Sequence, residues 1–220
     1  MRRVERAGVS PPASLAGYHH DTCSWDDEPG RTRFHGAHKK ELRSTLESMQ
    51  AGCCAYCESP TFDDGHIEHF RRKNKDHFPE LMFAWSNLFL SCSSLDHCGH
   101  YKDRRGSHYD PRDLVKPDDD DPNEYFYFHS SGDVRVRSGL DVVKARRASE
   151  TIRVFHLDCG SLQAERRRAI KSYLRRDPDM LEAISEFEES LRLAFIDQEL
   201  QATSNEPHSA VIRHFFEKHT

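Results

Sequence analysis

The chain has 220 residues, of which 36% are hydrophobic and 31% charged, with a formal net charge of −5. No apolar run approaches the ~18 residues of a membrane helix, and the basic start Met1-Arg2-Arg3 leads into no apolar stretch. A membrane-spanning or secreted protein is therefore not expected, and the expected location is cytoplasmic. The acidic balance also excludes a protein that coats nucleic acid with its whole surface.

Residues 8–34 are rich in Pro, Gly and Asp and read as loop or extended chain. Over 37–50, Leu42, Leu46 and Met49 recur at helical spacing, and Gly52 stops the helix. His66 to Phe70 reads as a short strand and 71–84 as a basic irregular loop. Trp85 to Leu90 leads into a second strand, with Asn87 at its entry, and Cys98 to Lys102 reads as the start of a short helix. After an acidic loop at 117–124, residues 125–136 form two β-prone runs around a Ser-Ser-Gly-Asp turn, a hairpin. The remainder is helical: 141–155, 161–175, and a third helix capped by Asp177-Pro178 with Ile184, Phe187, Leu191 and Phe195 along one side. A last helix starts near Pro207 and carries Val211 and Phe215. The fold class is α+β, with an N-terminal region over 1–110 and a hairpin plus helical region over 111–220 that could share its core.

Of seven cysteines, Cys53, Cys54, Cys57, Cys92 and Cys98 cluster between positions 53 and 98. A disulfide framework would spread its pairs along the chain. Cys54-x-x-Cys57 and the wider pair Cys92 and Cys98 instead suit a closed tetrahedral zinc site that ties two loops together. Cys53 and His97 are spare ligands. Between the pairs stand Glu68-His69 and Asn87, and His100 follows the last cysteine. A neutral imidazole can take a proton from water, and a carboxylate can hold a hard divalent cation. Neighbours on a strand point to opposite faces, so Glu68 and His69 can share a pocket only where the strand bends or ends. His66, His77 and His108 are left outside this group.

Together, Cys54-x-x-Cys57, Ile67-Glu68-His69-Phe70, Trp85-Ser86-Asn87-Leu88-Phe89-Leu90-Ser91-Cys92 and Cys98-Gly99-His100-Tyr101-Lys102 resemble an HNH endonuclease. More narrowly, the chain resembles the retron- and Septu-associated PtuB-like family over essentially its whole length. The resemblance implies a ββα-metal core at about 50–108, braced by zinc on Cys54, Cys57, Cys92 and Cys98. It implies His69 as general base, Asn87 as the residue orienting the loop, and Glu68 with His100 as ligands of a catalytic Mg²⁺-like ion. Gly99 stands where many such proteins carry His or Asn. The resemblance also implies a nuclease effector of bacterial anti-phage defence that works with an ABC-type ATPase.

Charge is segregated despite the net acidity. Arg71, Arg72 and Lys73 follow the expected base, and Lys102 follows the last cysteine, so all four are expected to meet phosphates. DNA is placed ahead of RNA as substrate, although the sequence carries basic loops and no stacking platform. The competing reading is a non-catalytic zinc module that binds nucleic acid or the ATPase, with Gly99 as the feature that favours it.

Overall fold

The computed structural model describes residues 1–61 and 64–217. Leu42 and Leu46 bury one side of α1 (Gly36–Met49), and the His35 ring accepts a hydrogen bond from the Ala37 amide at its start. Against this helix lies an antiparallel hairpin, β3 (His66–His69) and β4 (Leu88–Ser91), followed by the short α2 (Cys98–Lys102). The N-terminal loop contributes a parallel two-residue pair, β1 (Cys23–Ser24) and β2 (Thr32–Arg33). A third pair, β5 (Phe126–Phe128) and β6 (Val134–Val136), is the expected hairpin. At its turn Gly132 has φ +95°, and a Cβ there would meet the Gln163 carbonyl at 2.0 Å. Only glycine satisfies both constraints.

Five helices complete the chain: α3 (Val142–Phe155), α4 (Gly160–Leu174), α5 (Met180–Glu186), α6 (Glu189–Thr203) and α7 (Ser209–Phe216). Asp141 caps α3 by accepting from the Lys144 amide. The single helix expected from Asp177 is two. Phe187 turns extended (φ −69°, ψ 141°) and its ring packs edge-on against Phe195 at 5.9 Å, so an aromatic contact replaces helical continuity. Leu191, expected on a buried stripe, is 55% exposed. Trp85–Asn87, expected to lead into the second strand, is a turn of 3-10 helix that delivers the chain into β4.

Two apolar clusters form the interior. One, under the N-terminal loop, gathers Trp25, Phe34, Leu42, Leu46, Phe83 and Leu90. The other runs from Tyr56, Phe70 and Phe89 through Phe126 and Phe155 to Ile212 and Phe216, across the position expected to divide the chain. Glu58 fastens its two ends: the buried carboxylate takes the Met1 α-ammonium at 2.7 Å and the Ala210 amide at 3.0 Å. No helix among the described residues is long and apolar enough to cross a membrane.

Candidate functional site

Cys54, Cys57, Cys92 and Cys98 are all buried, and their Sγ atoms lie within 4.8 Å of one another. Among the described residues no other three or more metal-ligating side chains meet so closely. Position follows from local structure: Cys54 and Cys57 sit in the turn after α1, Cys92 follows β4, and Cys98 opens α2 with φ 62°. Hydrogen bonds from Cys57, Cys92 and Cys98 outweigh burial and hold the Cys54 thiol well below its ordinary pKa, while burial pushes Cys57 and Cys98 well above theirs. Four buried thiols cannot all ionise together without a cation among them, so this donor set fits a zinc ion. Arg166 is buried nearby with Nη2 lacking a hydrogen-bond partner. A buried guanidinium there offsets the negative excess of a zinc-tetrathiolate. Cys53 lies outside the cluster, its thiol pushed up to about 11 by burial. His97 flanks the cluster, Nδ1 3.2 Å from the Cys98 sulfur.

His69 ends β3. Its Nε2 lies 2.9 Å from the Met82 carbonyl oxygen, which can only accept, so that nitrogen carries the proton and Nδ1 keeps the lone pair. The Trp25 ring meets the imidazole edge-on at 4.5 Å. Burial, with the Lys73 charge second, pushes its pKa down to about 3 and keeps the ring neutral. His69 lines a cleft of about 310 Å³ together with Arg72, Lys73, Asp103, Arg104 and Arg105. Arg72 is held there by Asp103 Oδ1 at 2.9 Å and by the Lys102 and Ser107 carbonyls.

Asn87 closes the loop between the strands. Its Oδ1 accepts from the Arg71 amide at 2.8 Å, and its Nδ2 donates to the Arg71 and Leu81 carbonyls at 3.0 and 3.1 Å. The base of the loop is thus fixed on both sides of His69 and Met82.

Glu68 points the other way. The β3 register is unbroken through it, so the expected bend is absent, and the strand simply ends at His69. Its Oε2 faces His66 Nε2 at 3.3 Å, and its Oε1 takes the Lys102 ammonium at 2.7 Å. Lys102 also donates to the His69 carbonyl at 2.9 Å. The reading of Lys102 as a phosphate contact is therefore corrected: the side chain is fully buried, and its charge serves Glu68. That charge holds the Glu68 pKa down to about 2 despite burial. The His100 ring stacks on His66 at 4.0 Å. A Cβ at Gly99 would come within 2.5 Å of Glu68 Oε2, so a larger residue there would displace the carboxylate from this position. Glu68, His66 and His100 thus form one group, and His66 Nδ1 is buried without a partner. An oxygen and two imidazoles are ligand types a divalent cation takes, with His66 added to the expected pair, but the three do not gather as closely as the thiols and Lys102 already neutralises the carboxylate. No pattern in the sequence singled out His66, because its role comes from sharing a strand face with Glu68. The Met82 carbonyl left no trace either, being backbone.

What fold and site define is a mixed α+β protein in which a buried four-thiol centre braces a strand hairpin bearing a neutral histidine. The chain is similar to the Septu protein PtuB of Bacillus mycoides, 26% identical over 184 residues that cover 71% of this chain and 60% of that one. The chain spans about 60% of the length of that curated relative. No protein-family model matches it.

Proposed function

We propose that this chain is a metal-dependent HNH endonuclease of a bacterial anti-phage defence system, hydrolysing nucleic-acid phosphodiesters in concert with an ABC-type ATPase. The observation that carries the reading is geometric: His69, its Nε2 fixed on the Met82 carbonyl, lines a cleft of four cationic side chains and one carboxylate. The β3–β4–α2 succession beside the four thiols supports the ββα-metal assignment. The similarity to a Septu protein supports the defence role, and α5 and α6 bring Glu186, Glu188 and Glu189 to a surface suited to a basic partner.

The chemistry follows from the residues. Arg72, Lys73, Arg104 and Arg105 draw a phosphate into the cleft. His69 takes a proton from a water at Nδ1 as the water oxygen bonds to phosphorus. The bond from phosphorus to the 3′ oxygen breaks, and that oxygen takes a proton from solvent. Glu68, His100 and His66 would hold a divalent cation, but they face away from His69 and do not line its cleft, so charge neutralisation at the bound phosphate falls to Arg72, Lys73, Arg104 and Arg105. Asn87 keeps the loop, and with it the Met82 carbonyl, in place. Zinc on the four thiols is structural.

Plasmid nicking with Mg²⁺ tests this. His69→Ala should retain its zinc, fold as the parent, and lose about 10²- to 10⁴-fold in rate. A variant that nicks as fast as the parent overturns the assignment. The Lys102 ammonium on Glu68 favours a second reading, a non-catalytic zinc module whose carboxylate is a structural partner. Binding of nucleic acid with no Mg²⁺-dependent cleavage by either protein would establish that reading instead.

A further inference from the structure

A second cavity lies behind the wall that bounds the His69 cleft. It measures about 600 Å³ and is lined by Arg71, Asp76, Phe78, Tyr109, Asp110 and Arg112, among others. The wall is shared. The Arg72 guanidinium lines the cleft and lies 4.7 Å from the Tyr109 ring centre, and the Tyr109 hydroxyl donates to Asp103 Oδ1, another cleft residue, at 3.3 Å. Arg71 and Arg72 are successive residues, and each serves one cavity. Asn87 grips the Arg71 backbone, so both cavities hang on the same fixed point.

Their charges differ. The cleft sets four cations against one carboxylate, Asp103. The second cavity balances Arg71 and Arg112 against Asp76 and Asp110, with Arg112 and Asp110 paired at 2.7 Å. A phosphate gains from the first and nothing net from the second. What the second offers is two aromatic rings, with the Arg71 guanidinium 5.7 Å from Phe78, and donors and acceptors at the rim. An uncharged planar group with amino and carbonyl edges suits that lining, and cavities of roughly this size hold small ligands. In nucleic acid that group is a base, and it can enter only when unstacked.

We propose that this cavity receives one unpaired nucleobase whose neighbouring phosphate lies in the His69 cleft. The proposal rests on the nuclease reading and narrows its substrate class to nucleic acid with a single-stranded or extruded nucleotide at the cut. Phe78 and Tyr109 are the stacking surface, Arg71 caps it, and Asp76, Asp110 and Arg112 meet the base edge.

Equilibrium binding by fluorescence anisotropy, without Mg²⁺, separates the outcomes. The probes are a short labelled single strand, the same strand with abasic sites throughout, and a hairpin whose paired stem is closed by an abasic loop. Phe78→Leu, which keeps apolar bulk, and Phe78→Ala should weaken single-strand binding about tenfold or more, leave the hairpin unaffected, and be rescued by Phe78→Tyr. The parent should bind the abasic strand as weakly as the Phe78→Ala protein binds the normal strand. Equal binding of normal and abasic strands by the parent overturns the base site even where the parent cleaves. Base-dependent binding by a protein that never cleaves keeps the base site and removes the nuclease. A parent that binds none of the three probes defeats both.

Discussion

At the scale of single residues, Glu68 governs the interior of the site. Its carboxylate is buried, ionised, and compensated by Lys102 at 2.7 Å. Removing one partner of such a pair strands a charge away from water. Lys102→Met should lower unfolding free energy by about 3–5 kcal/mol in urea titration. Adding Glu68→Gln should recover most of that loss, since a neutral amide no longer needs the ammonium; a double variant no more stable than the single one contradicts the account. The roles of Glu68 and Lys102 were only partly legible in the sequence. The position beside His69 marked Glu68 for chemistry, but Lys102 looked like surface charge, because only the docking of α2 on Glu68, by way of Gly99, buries it.

At the scale of elements, the loop between β3 and β4 depends on one amide. Asn87 supplies an acceptor to the Arg71 amide and donors to two carbonyls. Asn87→Asp keeps the acceptor and removes both donors, setting a carboxylate against the Arg71 and Leu81 oxygens. Faster hydrogen exchange is expected over 71–82, with α3 to α7 unchanged and cleavage reduced. Exchange as slow as in the parent would count against this role. The sequence marked Asn87 by its order between the cysteine pairs and put it at the entry to the second strand, where the structure has it. The 3-10 turn over Trp85–Asn87 left no trace in the sequence, because it is imposed by that same closure and not by local propensity. Likewise the apolar spacing across 184–195 suited one helix, and only the Phe187–Phe195 contact explains two.

Across the whole molecule, two predictions follow from buried groups that join distant segments. The thiol cluster belongs to the same apolar cluster as Phe155 and Phe216. Cys57→Ser should therefore lower zinc content and melting temperature together, and removal of zinc from the parent should loosen the C-terminal helices as well as the hairpin. A soluble Cys57→Ser protein with full stability and no metal would refute the structural role. His214 joins α7 to β5, its Nδ1 accepting from the Phe128 amide at 2.9 Å. Burial, then the Arg137 charge, pushes its pKa down to about 3. The folded chain thus binds this proton more weakly than the unfolded chain, whose histidine titrates near ~6.5. Stability from this residue is complete above that value and is lost as pH falls toward 3, by at most about 1.4 kcal/mol per pH unit. His214→Asn offers an oxygen to the same amide and should flatten the urea midpoint between pH 6.5 and 4. An unchanged slope rejects the assignment. The clustering of cysteines made the four-thiol group readable from spacing alone. The continuous core was not readable, since nothing in the order of residues says that Tyr56 stacks on Phe155 at 4.1 Å.

The Met82 oxygen that holds the His69 imidazole has a practical bearing on mutagenesis. An alanine scan leaves every peptide group intact, so it would pass through position 82 and report a packing defect at most. The contact that sets the tautomer would go unseen. Exposing it calls for an ester in place of the peptide bond that follows Met82, which weakens that oxygen as an acceptor while sparing the side chains around it.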